Sequence, residues 1–134
     1  MRFLSKIIAN IMPASIEAAV PKKYEHISFK PPTGARSAAK RGLELLKIKS
    51  AATSVGWARA RDLSAGKTLS PGTLRRMFSF FSRHEVDKKS KAWKESTPSN
   101  PSKGYIAWML WGGDPGFSWA RKVVKQMDAA DMKE

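Results

Sequence analysis

Arginines are concentrated in one stretch of the chain, and their spacing suits the binding of phosphate groups. Two segments with helical patterns, over residues 53–67 and 69–87, carry Arg59, Arg61, Arg75, Arg76 and Arg83. A guanidinium donates paired hydrogen bonds to phosphate oxygens, and Asp62 and Glu85 are too few to neutralise so many cations. We therefore predict phosphate contacts here. The alternative is that the arginine stems cover apolar surface and pair with these two acids.

Three lysines follow directly, in a segment that the sequence predicts as a loop. Residues 87–104 contain Lys88, Lys89 and Lys91 among several Ser, Asn and Pro residues. We predict a mobile Lys-rich loop whose side chains hold phosphates by charge. The alternative is a solvated loop that Trp93 anchors.

The net charge indicates the class of partner. The 134 residues include 25 Lys and Arg against 11 Asp and Glu, a formal net charge of +14 with a pI of about 10.4. Such a charge on a small chain predicts a polyanionic partner. Nucleic acid is the first expectation, DNA before RNA. An anionic membrane, an acidic protein surface or a role in solubility are the alternatives.

Residues for catalysis or metal binding are few. The chain has no cysteine, which excludes disulfides, a thiolate nucleophile and a cysteine-based zinc site. His84, Glu85 and Asp87 cluster, with His26 and Asp114 elsewhere, and a metal nuclease would need such ligands to converge. His84 equally suits a helix C-terminus without catalysis. We expect no enzyme activity, no catalytic residue, no metal and no cofactor.

The helix that should position most of the arginines begins near residue 70. Ser70 is a good N-cap, and Pro71 suits the first helical position. The apolar spacing that follows predicts one buried face. That face consists of Leu74, Met77, Phe78 and Phe81.

The preceding segment makes a second helix, so the two outline a helix-turn-helix. Its pattern covers residues 53–67, and Gly66 is suited to the position after a helix end. In a helix-turn-helix the second helix enters the major groove. Arg75 and Arg76, near the start of that helix, are therefore best placed to reach bases. The alternative is an ordinary packed helical hairpin.

The remaining pattern predicts an all-α protein, a small single-domain bundle of five or six helices. Residues 1–30 form an N-terminal amphipathic helix and connector, and residues 31–134 form the basic helical domain. Within the domain we predict a helix over residues 34–49, an apolar central helix ending at Gly112 and Gly113, and a last helix capped by Asp114. The predicted core consists of Leu74, Met77, Phe78, Phe81, Trp108, Met109, Trp111, Trp119 and Val123.

The N-terminal residues 2–12 have apolar side chains at helical spacing, with basic and polar residues opposite. Such a helix needs a surface. It either docks on this protein's own core or on another subunit, or it binds a membrane surface or a partner. No apolar run in the chain reaches the roughly 20 residues that span a bilayer, and the segment makes a poor signal peptide.

Three stretches of the sequence resemble a known module. GARSAAKRGLELL, VGWARARDLSAGKTLSPGTLRRMFSFFSRHEVDKK and GYIAWMLWGGDPGFSWA are similar to a small helical module that recurs in tailed-bacteriophage and prophage proteins. The resemblance covers about residues 34–120. It implies a phage setting and an all-α fold, and it transfers no catalytic or binding residue. After RHEVD, where such proteins tend to carry a glycine-rich acidic insert, this chain has KSKAWKESTPSN.

These observations lead to one expectation of function and one alternative. We expect a phage-encoded, non-catalytic nucleic-acid-binding protein located in the host cytoplasm or the virion. The alternative is a minor virion structural protein, or a host-protein-binding protein, with a basic surface.

Overall fold

A computed structural model describes residues 20–133, and within this range the chain is all helical. Its six α-helices are α1 (Thr33–Leu45), α2 (Ser54–Ser64), α3 (Pro71–His84), α4 (Lys91–Lys94), α5 (Lys103–Leu110) and α6 (Gly113–Met132). Two 3-10 helices cover Lys22–Tyr24 and Glu85–Lys89. The described part of the chain has no strand, only an isolated bridge between Thr97 and Asn100. This confirms the small all-α bundle, while the helix predicted over residues 2–12 lies outside the described residues.

Helix α5 is short and lies at the centre of the bundle. It contacts α1, α2, α3 and α6, and Ile106, Trp108 and Leu110 are buried in it. Helix α1 packs closely on it, because a side chain on Gly42 would lie 2.7 Å from the backbone nitrogen of Leu110. The predicted central position of this apolar helix is therefore confirmed.

The helix ends on either side of the turn between α2 and α3 follow the sequence signals. Ser70 caps α3 by accepting a hydrogen bond from the backbone N–H of Thr73 at 3.2 Å, and Pro71 is the first helical residue. Helix α2 ends before Gly66, whose φ is +72°. The backbone N–H of Lys67 then donates to the carbonyl of Asp62 at 3.0 Å, which completes a Schellman ending.

The turn between α5 and α6 requires two glycines. Gly112 and Gly113 have φ of +116° and +63°, and a side chain on Gly113 would lie 2.9 Å from Cβ of Ala38. Helix α6 begins at Gly113 with no side-chain cap. The predicted cap by Asp114 is therefore wrong, because this carboxylate accepts hydrogen bonds from other side chains.

The core contains most of the predicted residues. Buried as expected are Leu74, Met77, Phe81, Trp108, Trp119 and Val123. Half-buried instead are Phe78, Met109 and Trp111. On α3 the burial extends to Phe80, because this ring stacks on Trp111 of the neighbouring α5–α6 turn.

Helices α2 and α3 do not form a packed hairpin. Helix α2 packs on α1 and α5, and α3 packs mainly on α6, so the two do not contact each other along their lengths. The ring of Trp111 lies between them, beside Gly56 on one side and stacked on Phe80 on the other. The helix-turn-helix outline therefore does not describe their packing, because each helix buries its apolar face against a different neighbour.

The segment predicted as a long loop contains two helical turns. The 3-10 helix Glu85–Lys89 leads into α4, where Ser90 accepts a hydrogen bond from the backbone N–H of Trp93 at 3.1 Å. The ring of Trp93 packs on Tyr105 and Trp108. The prediction of a continuous loop from residue 87 is thus wrong in its first half, because the Ser90 cap and the half-buried ring of Trp93 order this segment. Among residues 20–133, no helix is long and apolar enough to cross a membrane.

Candidate nucleic-acid interface

An open cleft separates α2 from α3, and we call it the α2–α3 cleft. Its floor is the ring pair of Phe80 and Trp111, which stack at 4.4 Å between centroids with planes 7° apart. A cavity of about 320 Å³ lies at one end, between the first turn of α2 and the last turns of α3. The basic side chains at the cleft are Arg59, Arg76 and Arg83. Aromatic and basic groups therefore share one surface.

Arg59 reaches into this cleft from α2, with only 12% of its side chain exposed. Its Nε is buried without a hydrogen-bond partner in the described residues, and its Cζ lies 5.6 Å from the Trp111 ring centroid. The carboxylate of Asp62 is 3.9 Å away. Burial lowers the pKa of the Arg59 guanidinium, the charge of Asp62 opposes this, and the charge of Arg76 lowers it further. Positive charge is therefore incompletely compensated at this point.

Arg76 and Arg83 approach from α3. They lie one turn before and one turn after Phe80, so all three share one side of the helix. Arg83 lines the cavity and donates to Oγ of Ser79 at 3.3 Å. In the part of the chain that the structure describes, neither guanidinium pairs with a carboxylate. Both are exposed and available to an anion.

Arg75 is adjacent to Arg76 in sequence but makes different contacts. Its guanidinium lies 3.1 Å from Oδ1 of Asp128 and 3.3 Å from Oδ2 of Asp131. Hydrogen bonding with Tyr24 and then with Asp128 holds the pKa of Arg75 above its ordinary value. Arg75 therefore joins α3 to the end of α6 and does not face the cleft.

Arg61 lies outside the cleft, on the outer face of α2. Its Cζ is 4.7 Å from the ring centroid of Trp57. Trp57 is 45% exposed and Val55 is 52% exposed. This face thus presents apolar side chains to solvent next to one cation.

The three predicted lysines are divided as well. Lys88 is bound within the protein, with Nζ 2.7 Å from Oδ1 of Asp114 and 4.6 Å from the ring centroid of Trp108. Lys89 and Lys91 are exposed on the two short helices after α3. Of the predicted contacts, Arg59, Arg76 and Arg83 come together, Lys89 and Lys91 stand free beyond α3, and Arg61, Arg75 and Lys88 face elsewhere.

The histidine and carboxylate cluster makes local pairs. His84 Nδ1 lies 3.1 Å from Oδ2 of Asp87, and its ring packs against Phe80 at 4.6 Å between centroids. His26 lies 3.5 Å from Glu25, while Asp114 is engaged with Lys88. Within residues 20–133 no three His, Cys, Asp or Glu side chains are grouped so that they could hold a metal ion.

Three residues that determine which side chains face the cleft were not predicted from the sequence. Phe80 lies three residues after Met77, so the helical spacing contains a signal for its burial. The partners Asp128 and Asp131 of Arg75 carry no such signal, because they lie 53 and 56 residues away in sequence.

The fold and the cleft define a small all-α protein with a basic cleft between two helices. No protein-family model, curated protein or solved structure matches the chain.

Proposed function

We propose that this chain is a non-catalytic nucleic-acid-binding protein, DNA before RNA, that holds backbone phosphates in the α2–α3 cleft. The observation that carries the proposal is the largely buried side chain of Arg59, 12% exposed, beside the cationic Arg76. The resemblance over residues 34–120 supports a bacteriophage setting for it.

Two neighbouring cations of which one is buried destabilise the free protein. A phosphate in the cleft would offset this repulsion, because its negative charge would lie close to both guanidinium groups. Guanidinium groups also match phosphate geometry better than ammonium groups do. The cleft is therefore better suited to bind an anion than to hold water.

The rest of the chain supports the same partner. A net charge of +14 favours association with any polyanion, and the exposed Arg83, Lys89 and Lys91 extend the positive surface from the cleft past the end of α3. Most such contacts position a backbone and do not read sequence. We therefore expect affinity with little sequence preference.

A salt titration tests this function. Fluorescence anisotropy with labelled duplex and single-stranded DNA would compare the natural chain with the double variant Arg76→Ala/Arg83→Ala. If each arginine neutralises one phosphate of a duplex, the slope of log K against log salt should fall by about 1.8 in magnitude.

A control variant distinguishes binding at the cleft from a general attraction of DNA by the net positive charge. Lys122→Ala/Lys125→Ala removes the same charge from exposed positions on α6 and should keep most of the slope. Equal losses of slope in both variants would mean that the net positive charge attracts DNA without a specific binding site. No binding to either DNA at about 50 mM salt would end the proposal.

One observation favours the alternative of a minor virion or host-protein-binding protein. Val55 and Trp57 expose about half of their side chains on α2, and exposed tryptophan is typical of protein interfaces. A virion component should occur in purified particles at a fixed copy number. A regulatory DNA binder should be absent from them.

A further inference from the structure

A second cavity, of about 520 Å³, lies on the opposite side of α5 from the cleft. We call it the aromatic pocket, and the residues that matter for it are Lys88, Trp93, Tyr105, Trp108 and Asp114. Helical spacing separates the two sites, because Tyr105 and Trp108 point to one side of α5 while Ala107 and Leu110 line the cleft cavity on the other. The volume is typical of a small-ligand site.

Three aromatic rings give the pocket its shape. Trp93 meets Tyr105 at 5.3 Å with planes 79° apart, and it meets Trp108 at 6.0 Å with planes 85° apart. Trp108 is buried, while Trp93 and Tyr105 are half-buried. A flat ring that enters can therefore stack on one face and meet the edge of another.

Two charged groups converge at the same place. Oδ1 of Asp114 accepts from Nε1 of Trp108 at 2.9 Å and from Nζ of Lys88 at 2.7 Å. The hydrogen bond from Lys88 is the main cause that holds the pKa of Asp114 below its ordinary value. The pocket therefore offers a carboxylate acceptor and an ammonium donor beside apolar rings.

We propose that the aromatic pocket binds one unpaired base of a single-stranded nucleic acid, with Lys88 against its phosphate and Asp114 against its amino group. This inference rests on the proposed function and makes it more specific, since stacking on aromatic side chains is how single strands are held. Carboxylates accept hydrogen bonds from the amino groups of bases.

The charges favour a base over an organic cation, the other ligand of aromatic pockets. Lys88 already places an ammonium 4.6 Å from the Trp108 ring centroid. The exposed Lys89, Lys91 and Lys94 close by in sequence repel a further cation. A neutral ring that carries a phosphate meets both features of the site.

Indole NMR signals of the ¹⁵N-labelled full chain report on the pocket directly. The chain has five tryptophans, which can be assigned with Trp→Phe variants. Deoxycytidine and deoxyguanosine 5′-monophosphates, whose bases both carry an amino group, should shift the Nε1–H signals of Trp93 and Trp108, whereas deoxyribose 5-phosphate should not. A shift of Trp111 alone, or equal shifts with the sugar phosphate, would overturn the base pocket.

Binding of a single-stranded oligonucleotide provides the second measurement. Tyr105→Leu should weaken it about fivefold or more and leave duplex affinity unchanged. Phe78→Leu, a half-buried aromatic on α3 away from the pocket, is the matched control and should change neither. If single strands bind with normal affinity to Tyr105→Leu, the pocket proposal fails while binding at the cleft stands. If no DNA binds the natural chain, the proposed function fails.

Discussion

Nη1 of Arg75 lies 3.1 Å from Oδ1 of Asp128, so that this arginine joins helix α3 to the end of α6. The next residue, Arg76, is exposed and acts electrostatically on Arg59 in the α2–α3 cleft. Two adjacent arginines thus have different surroundings. This difference makes the structural role of Arg75 separable from the proposed binding role of Arg76.

Arg75→Ala should destabilise the free protein modestly. The guanidinium is partly exposed and bound to two carboxylates, so we expect a loss of about 1 kcal/mol or less in the free energy of unfolding. Urea denaturation monitored by circular dichroism measures it. Arg76→Ala, which removes no ion pair among the described residues, should unfold at nearly the natural urea concentration. A larger loss for Arg76→Ala would contradict this assignment.

Arg59→Met should affect stability and binding in opposite directions. Methionine fills a similar space without burying a charge, so the free energy of unfolding should stay constant or rise by about 1 kcal/mol. The magnitude of the salt slope for duplex DNA should fall by about 0.9, which corresponds to one phosphate contact. Thermal unfolding and the binding titration measure the two effects. A strongly destabilised variant would show that Arg59 is a structural residue instead.

Gly42→Ala should destabilise the bundle although alanine favours helices. The new Cβ would lie 2.7 Å from the Leu110 backbone nitrogen, so α1 and α5 must move apart, at a cost of about 1–3 kcal/mol. Gly72→Ala is the matched control, since its Cβ would approach only Arg76 Nη1 at 3.8 Å. It should be neutral or stabilise by up to about 1 kcal/mol. Similar urea midpoints for both variants would argue against the close packing.

Asp114→Asn should change how the free energy of unfolding depends on pH. The pKa of Asp114 is below its ordinary value of 3.8, mainly because of Lys88. Its ionised form therefore stabilises the fold above pH 3.8, and this contribution is lost as the pH falls through the folded-state pKa. The stability difference between natural chain and variant should be present at neutral pH and shrink below about pH 4. Lys88→Met should likewise make this stability difference smaller. A difference that is constant with pH would exclude the ion pair between Lys88 and Asp114 as its cause.

Local signals in the sequence predicted the end of α2 and the start of α3. Ser70, Pro71 and Gly66 act within a few residues of the backbone that they terminate, and the structure has them in these roles. The all-α bundle with a central apolar helix follows from the same kind of pattern. These features need no knowledge of what each helix packs against.

Features that depend on distant neighbours could not be predicted. The partner of Lys88 lies 26 residues away and that of Arg75 lies 53 away, and neither leaves a local trace. Phe78 and Phe80 both fit a helical stripe with Met77. The choice between them depends on Trp111, which lies on the side of α3 that Phe80 faces.

The most direct test of the cleft compares Arg75→Ala with Arg76→Ala in the same salt-titrated binding assay on duplex DNA. Both variants remove one positive charge, at adjacent positions of one helix. We predict that Arg76→Ala reduces the magnitude of the slope of log K against log salt by about 0.9, while Arg75→Ala leaves it unchanged. Equal slopes in the two variants, or a loss in Arg75→Ala alone, would contradict the assignment of phosphate binding to the α2–α3 cleft.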